Sequence, residues 1–211
     1  MEKLTRMNVI VKLNKRAKDY VDDAVVFADG EKIPTKLLIW TAGVTSKVFQ
    51  GIPKESYGRG RRLFVNEHNA VQGLTDVYAI GDTSLQTTDP GFPNGHPQLA
   101  QVAIQQGKHL ADTFKAMADK KPLKPFIYHD RGSMAIIGRG KAVADLPKPE
   151  MHLHGSLAWL MWLAVHLLSL VNVENKVSTL FRWAVAFFTK DQSLRLILKP
   201  DNEKRNANNP I

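Results

Sequence analysis

No cysteine occurs anywhere in the chain. That absence excludes disulfides, thiolate metal ligation and any dithiol chemistry carried by the protein itself, so a redox role has to come from a bound cofactor. Glycine-rich phosphate loops are missing as well. No G-x-G-x-x-G is present, although such a turn is the usual seat of a dinucleotide pyrophosphate. No apolar run reaches the about 20 residues with which a helix crosses a bilayer, and residues 1–18 hold no apolar core of the length a secretory signal needs. Negative charge is also scarce. Against 29 Lys and Arg stand only 20 Asp and Glu, a net charge of +9. Such a balance suits a polyanionic partner, nucleic acid or an acidic membrane surface, without choosing between them.

What is present is globular in character. The 211 residues, 44% of them hydrophobic, suffice for one large or two modest domains with a real core. Residues 8–13 alternate like a strand entered almost at once, as if the chain were part of something longer. Val25, Val26 and Phe27 run into Asp29-Gly30 and then Ile33, a hairpin signal because both turn residues tolerate positive φ. Residues 36–40 (KLLIW) are continuously apolar, as in a buried strand, and end in the small residues Thr41, Ala42 and Gly43. The polar, glycine-rich stretch 50–62 is the best candidate for a domain boundary. Strands are expected at 63–65 and 77–80, a helix at 98–117 with Pro97 at its first position, and a second hairpin, 133–138 with 141–146, turning at Arg139-Gly140. Two apolar and aromatic stretches follow, 157–173, which His166 interrupts, and 180–188. The tail to Ile211 is polar and basic.

Three segments could carry chemistry. The run 77–80 ends in Gly81-Asp82, which places a carboxylate at the carboxyl edge of a sheet, where α/β ligand sites lie; a helix cap or tight turn explains the same residues. At the start of the expected helix, Gln101 and Gln105 are four apart and share a face. Small Ala100 and Ala103 would let a flat ring come close, and the helix amino terminus would favour negative charge; a solvated polar face explains them equally. Thr41, Ala42 and Gly43 suit a ligand passing close to the backbone, or an ordinary turn.

In order and combination, TAGV, AIGD and the helix AQVAIQQG resemble the two-dinucleotide-binding flavoproteins. Residues 100–105 (AQVAIQ) resemble the AQxAxQ pattern of the type II NADH:quinone oxidoreductases. The strand pair 132–144 and the Trp-rich tail are similar to that family's own. The resemblance implies an α/β flavoprotein fold, α+β in this stretch, with a carboxyl-terminal hairpin and amphipathic membrane-associating helices. It divides the chain into the end of an NADH-binding domain (1–45), the later part of an FAD-binding domain (46–120), and a hairpin with helical tail (121–211).

It further implies that Gly81 and Asp82 bind FAD, and that Ala100 and Gln101 border its ring. Gln101 with Gln105 would face the quinone. Thr41, Ala42 and Gly43 would lie where nicotinamide meets flavin, and Lys141 would approach from the second hairpin. FAD would accept hydride from NADH and pass electrons to quinone without proton pumping. Trp159, Trp162 and Trp183, with Lys176, Arg182 and Lys190, would seat the chain on the cytoplasmic face of an inner membrane in the interfacial manner. Neither a metal nor a nucleic acid is expected, and pairing of two chains through open sheet edges is. Some members carry a histidine where this chain has Ile104, so no proton-donating role falls there. Without the glycine-rich turns this stretch alone is expected to be colourless and inactive. The alternatives are an inactive membrane-binding or assembly module, or another two-dinucleotide-binding flavoprotein such as a sulfide:quinone oxidoreductase-like enzyme, whose chemistry needs cysteines that this stretch does not have.

Overall fold

The computed structural model describes residues 2–189 and falls into two compact units, Met1–Phe126 and Ile127–Ile211. Lys190 and the basic tail to Ile211 lie outside the described residues.

The first unit opens with a single helical turn, α1 (Glu2–Thr5), followed by an irregular stretch. An antiparallel sheet then forms in the order β1 (Ala17–Val21), β2 (Ala24–Phe27), β3 (Lys32–Pro34). Between β1 and β2, Asp22 and Asp23 both take left-handed φ, 51° and 54°, the pair of values a tight two-residue hairpin requires. The β2–β3 hairpin forms where Asp29-Gly30 signals it, with Val25 opposite Ile33.

Two expected strands do not form. Residues 8–13 and 36–40 are irregular, and Ile10, Leu37 and Ile39 are 86%, 74% and 75% exposed. An apolar run becomes a strand only when a neighbour pairs its backbone and covers its faces; among the described residues neither run has one.

The rest of this unit is organised around a two-stranded parallel pair, β4 (Leu63–Val65) and β5 (Ser84–Gln86), with Leu63 opposite Ser84 and Val65 opposite Gln86. Leu63, Val65, Val71 and Ala79 form the core beneath it. Residues 77–80 are extended but narrower than expected. One bridge joins Tyr78 to Ala70, and Ala79 N–H donates to Asn69 O at 3.0 Å, so the run pairs with a tight turn rather than with a full strand.

The long helix α2 (Ala100–Ala118) begins after an extended Leu99. Pro97 therefore lies outside it, because the chain must still turn at Leu99 before helical dihedrals begin. Its far end closes as a Schellman motif, with Lys120 at φ 55° and the N–H groups of Lys120 and Lys121 donating to Met117 O and Ala116 O at 3.1 and 2.8 Å. Beyond it, His68 Nδ1–H and His109 Nε2–H both donate to Lys124 O, at 3.1 and 2.8 Å, tying the next segment back.

The second unit is a meander, β6 (Ser133–Gly138), β7 (Lys141–Pro147) and β8 (Glu150–Gly155), covered by α3 (Ser156–Ser169) and followed by α4 (Val173–Thr189). The hairpin at Arg139-Gly140 matches expectation; the third strand was not foreseen. Ala158 of α3 packs on Ala142 and Ala144 of β7, all three buried, and three methyl-sized side chains let helix and sheet approach closely. The apolar stretch expected to continue to Val173 breaks after Ser169, where Asn172 Oδ1 accepts from Glu174 N–H at 3.1 Å and caps α4. Among the described residues no helix is long and apolar enough to cross a membrane.

Candidate functional site

Gly81, Asp82 and Thr83 form a 3₁₀ turn that feeds straight into β5. Gly81 takes φ +64°, and a Cβ there would lie 3.0 Å from the Cβ of Ala103. Turn and helix therefore meet at a distance and a dihedral that only glycine accepts readily. Fully buried Gln106 locks the contact. Its Oε1 accepts from Gly81 N–H at 2.6 Å, and its amide also bonds Ser84 Oγ, at 3.1–3.2 Å. From the helix approach, Gln98 Nε2 donates to Asp82 O at 3.2 Å. Asp82 itself stays exposed.

A buried arginine braces the same turn. Arg62, 9% exposed, donates from Nε to Ser84 O at 2.7 Å and from Nη2 to His96 O at 2.9 Å. Burial pushes its pKa down, the Asp82 carboxylate opposes that shift, and Arg59 adds to it. His96 is held from its other side by a buried bond of 2.9 Å between Nε2–H and Asp89 Oδ2, with the rings of Phe92 and Phe126 each 5.4 Å away.

The structure thus brings Gly81 and Asp82 together with the opening of α2. Ala100 is exposed at the first helical position, the first turn has no side-chain cap, and Gln101 and Gln105 lie half-buried one turn apart with exposed Ile104 between them. Thr41, Ala42 and Gly43 sit exposed in the irregular stretch that replaces the expected strand. Lys141 is the half-buried first residue of β7, in the second unit. Sequence reasoning passed over Gln106, Arg62 and the His96–Asp89 pair. Gln106 left a faint signal: it falls on the buried stripe of α2 with Val102 and Thr113, where an amide needs a partner.

Residues 1–107 match the pyridine nucleotide-disulphide oxidoreductases. The chain belongs to that family. A second match, to the NDH2 C-terminal domain, covers residues 130–191. The chain is 34% identical over 194 residues to the type II NADH:quinone oxidoreductase NdhA of Mycobacterium tuberculosis, covering 88% of this chain and 40% of that one. With the internal alternative NAD(P)H-ubiquinone oxidoreductase A1 of Arabidopsis thaliana, a mitochondrial protein, it shares 32% over 195 residues, 83% of this chain and 38% of the other. The chain therefore spans about two fifths of the length of these relatives. In fold it is similar to NDH2 from Plasmodium falciparum in complex with NADH, with a TM-score of 0.73 at 19% identity over 94% of this chain and 55% of that one. It is also similar to the sulfide:quinone oxidoreductase of Aquifex aeolicus, with a TM-score of 0.59 at 15% identity over 90% and 48% of the two chains. At those identities the likeness is one of fold alone.

The second unit of this family member carries an aromatic cavity of about 410 Å³, lined by Ile136, Arg139, Trp159, Trp162, Trp183 and Phe187 among others. Arg139 stacks over the Phe187 ring at 3.6 Å and donates from Nη2 to Phe187 O. His166, expected to interrupt an apolar run, lies on Trp162 with ring centroids 3.8 Å apart and donates from Nδ1–H to Trp162 O at 2.7 Å. Outside this packing, Leu157, Leu160 and Leu168 of α3 and Val177, Phe181, Val185 and Phe188 of α4 are exposed.

Proposed function

We propose that this chain is the flavin-closing and quinone-facing part of an FAD-dependent enzyme that passes electrons from NADH to a membrane quinone without pumping protons. The observation that carries this reading is the lock between the Gly81-Asp82 turn and α2 through Gln106. It holds an exposed carboxylate and an uncapped helix start side by side in a chain similar to NdhA over most of its length.

The residues suit the flavin nucleotide. Gly81 allows close approach, Asp82 offers a carboxylate that accepts from sugar or ribityl hydroxyls, and the first N–H groups of α2 favour negative charge. Bound there, FAD would supply hydride acceptance and electron delivery, while the protein positions it. Ala100 and Gln101 would border the ring, and Gln101 with Gln105 would face the quinone. Thr41, Ala42 and Gly43 would meet the nicotinamide, and Lys141 would approach from the hairpin. The glycine-rich phosphate turns would come from sequence beyond this stretch. The exposed apolar sides of α3 and α4 would lie in the cytoplasmic leaflet of a respiratory membrane as an interfacial, non-spanning seat, within reach of a lipophilic quinone. The assembled protein would be a homodimer.

A second reading, an inactive membrane-binding module, draws on the lack of any G-x-G-x-x-G. One comparison separates the two. Expressed at its native length, the protein should bind FAD and oxidise NADH with a soluble quinone as acceptor, and Asp82→Ala should lose flavin. A native-length protein that neither turns yellow nor oxidises NADH would leave the module reading standing. The 211-residue chain alone should be colourless; a flavin absorbance band in its purified form would show that the closing half suffices.

A further inference from the structure

Residues 58–62 (GRGRR) end the stretch that the sequence marks only as a boundary, yet the last arginine is buried beneath the site. We propose that Arg62 is a positioning residue for the flavin site: its guanidinium fork fixes the spacing between the Gly81-Asp82 turn and the segment that opens α2, and so sets how tightly FAD is held. This rests on the flavoprotein reading above.

The fork touches both lips of the site. Ser84, whose carbonyl receives Nε–H at 2.7 Å, follows Asp82 by two residues. His96, whose carbonyl receives an Nη2–H at 2.9 Å, precedes Ala100 by four. Other bonds act beside it. Gln106 ties Gly81 and Ser84 to the body of the helix, and Asp89 holds the His96 ring. What Arg62 adds is a hold on the segment before the helix, which it shares with a bond from half-buried Gln98 to Asp82 O.

Packing alone does not account for the residue. Among the described residues no carboxylate forms a direct ion pair with Arg62, and the charge of Asp82 offsets the effect of its burial only in part; burying a cation so incompletely paired is unfavourable, and an apolar side chain of similar volume is often the more stable occupant. Both of its bonds go instead to main-chain carbonyls beside the two segments the ligand would contact. A planar, rigid fork sets two acceptors at a defined spacing; the single ammonium of lysine does not. The three arginines of the motif are therefore not equivalent: Arg59 and Arg61 are exposed, and Arg62 alone turns inward.

The test uses the native-length protein with Arg62→Met and Arg62→Lys, measuring FAD affinity by flavin fluorescence, the visible circular dichroism of bound flavin, and thermal unfolding. Loss of charge-assisted bonds to the two lips should weaken FAD roughly tenfold or more in Arg62→Met and alter the flavin dichroism, whatever happens to the unfolding temperature. Arg62→Lys, keeping the cation without the fork, should recover only part of the affinity. Wild-type affinity and dichroism in a folded Arg62→Met protein overturn the proposal, and if that variant does not fold, the same result in Arg62→Lys does so. A wild-type protein that takes up no FAD overturns the flavoprotein reading and this inference with it. Normal uptake by wild type and both variants overturns this inference alone.

Discussion

Gln106 buries a primary amide whose Oε1 accepts from the Gly81 N–H, and that makes its replacement a sensitive test of the first unit. Replacing it with leucine keeps the volume but orphans the backbone donor, a loss of about 1–3 kcal/mol. Urea unfolding of Gln106→Leu should show a lower midpoint with an unchanged slope; an unmoved midpoint would mean that the 2.6 Å bond contributes nothing. Gly81→Ala reaches the same junction by another route, forcing a side chain into left-handed backbone at about 1–2 kcal/mol and pressing on Ala103. Because the two positions share one contact, the double variant should be less destabilised than the sum of the singles. Tyr128 makes a separate, pH-dependent case in the second unit. Burial first, then the charge of Asp130, pushes its pKa up to about 12. A raised pKa means that the fold favours the neutral phenol. The stabilisation is therefore complete below the unfolded value near 10 and is lost as pH rises from there toward 12. Tyr128→Phe should remove that phenolate step from the absorbance titration and flatten the alkaline fall in stability; an identical titration in the variant would discard the assignment. Gly81 and Asp82 were legible in the sequence because a local signature, an apolar run ending in Gly-Asp, announces them. Gln106 and Arg62 were not, since their partners lie 25, 22 and 34 residues away.

Elements divide along the same line. Both hairpins with a glycine in the turn, at Asp29-Gly30 and Arg139-Gly140, form where the dipeptide says they should, because turn geometry is a local property. Helix α2 falls close to its expected bounds because periodicity over 19 residues averages out errors at the ends. The runs 8–13 and 36–40 mislead for the opposite reason. Their composition describes a buried strand, but burial is conferred by neighbours that the described residues do not contain. The parallel pairing of β4 with β5 was equally hidden, since register between distant segments leaves no local mark. The break between α3 and α4 shows how one polar residue outweighs a long apolar run. Asn172→Ala should cost about 1 kcal/mol, seen as fraying of α4 in backbone hydrogen exchange. Protection equal to wild type across the first turn of α4 would assign the break to something other than the cap.

For the molecule as a whole, the proposed membrane seat would use charge and apolar surface together. The excess of cations, 29 against 20, was ambiguous in the sequence between nucleic acid and a membrane. In the second unit α4 exposes Val177, Phe181, Val185 and Phe188 at spacings of four, four and three residues on one side, with Val173, Leu180 and Phe187 exposed besides, which supports the proposed membrane seat. A nucleic-acid surface would place cations within such a stripe; here Lys176 and Arg182 stand beside Val177 and Phe181, and the four stripe positions themselves are apolar. An interfacial seat would draw on both forces, which respond differently to salt. Coulomb attraction to anionic headgroups is screened within about 8 Å at physiological ionic strength and fades further as salt rises, whereas the apolar contribution persists. In a flotation assay the chain should bind phosphatidylglycerol vesicles at low salt and phosphatidylcholine vesicles more weakly. High salt should remove the difference between the two lipids but not the residual binding. Deleting residues 156–211 should abolish both components, and Phe181→Ser with Phe188→Ser should remove the salt-resistant part while leaving the salt-sensitive part. Equal flotation of the intact and shortened chains would place the membrane seat outside α3 and α4, and release of all binding by salt would reduce the attachment to charge alone.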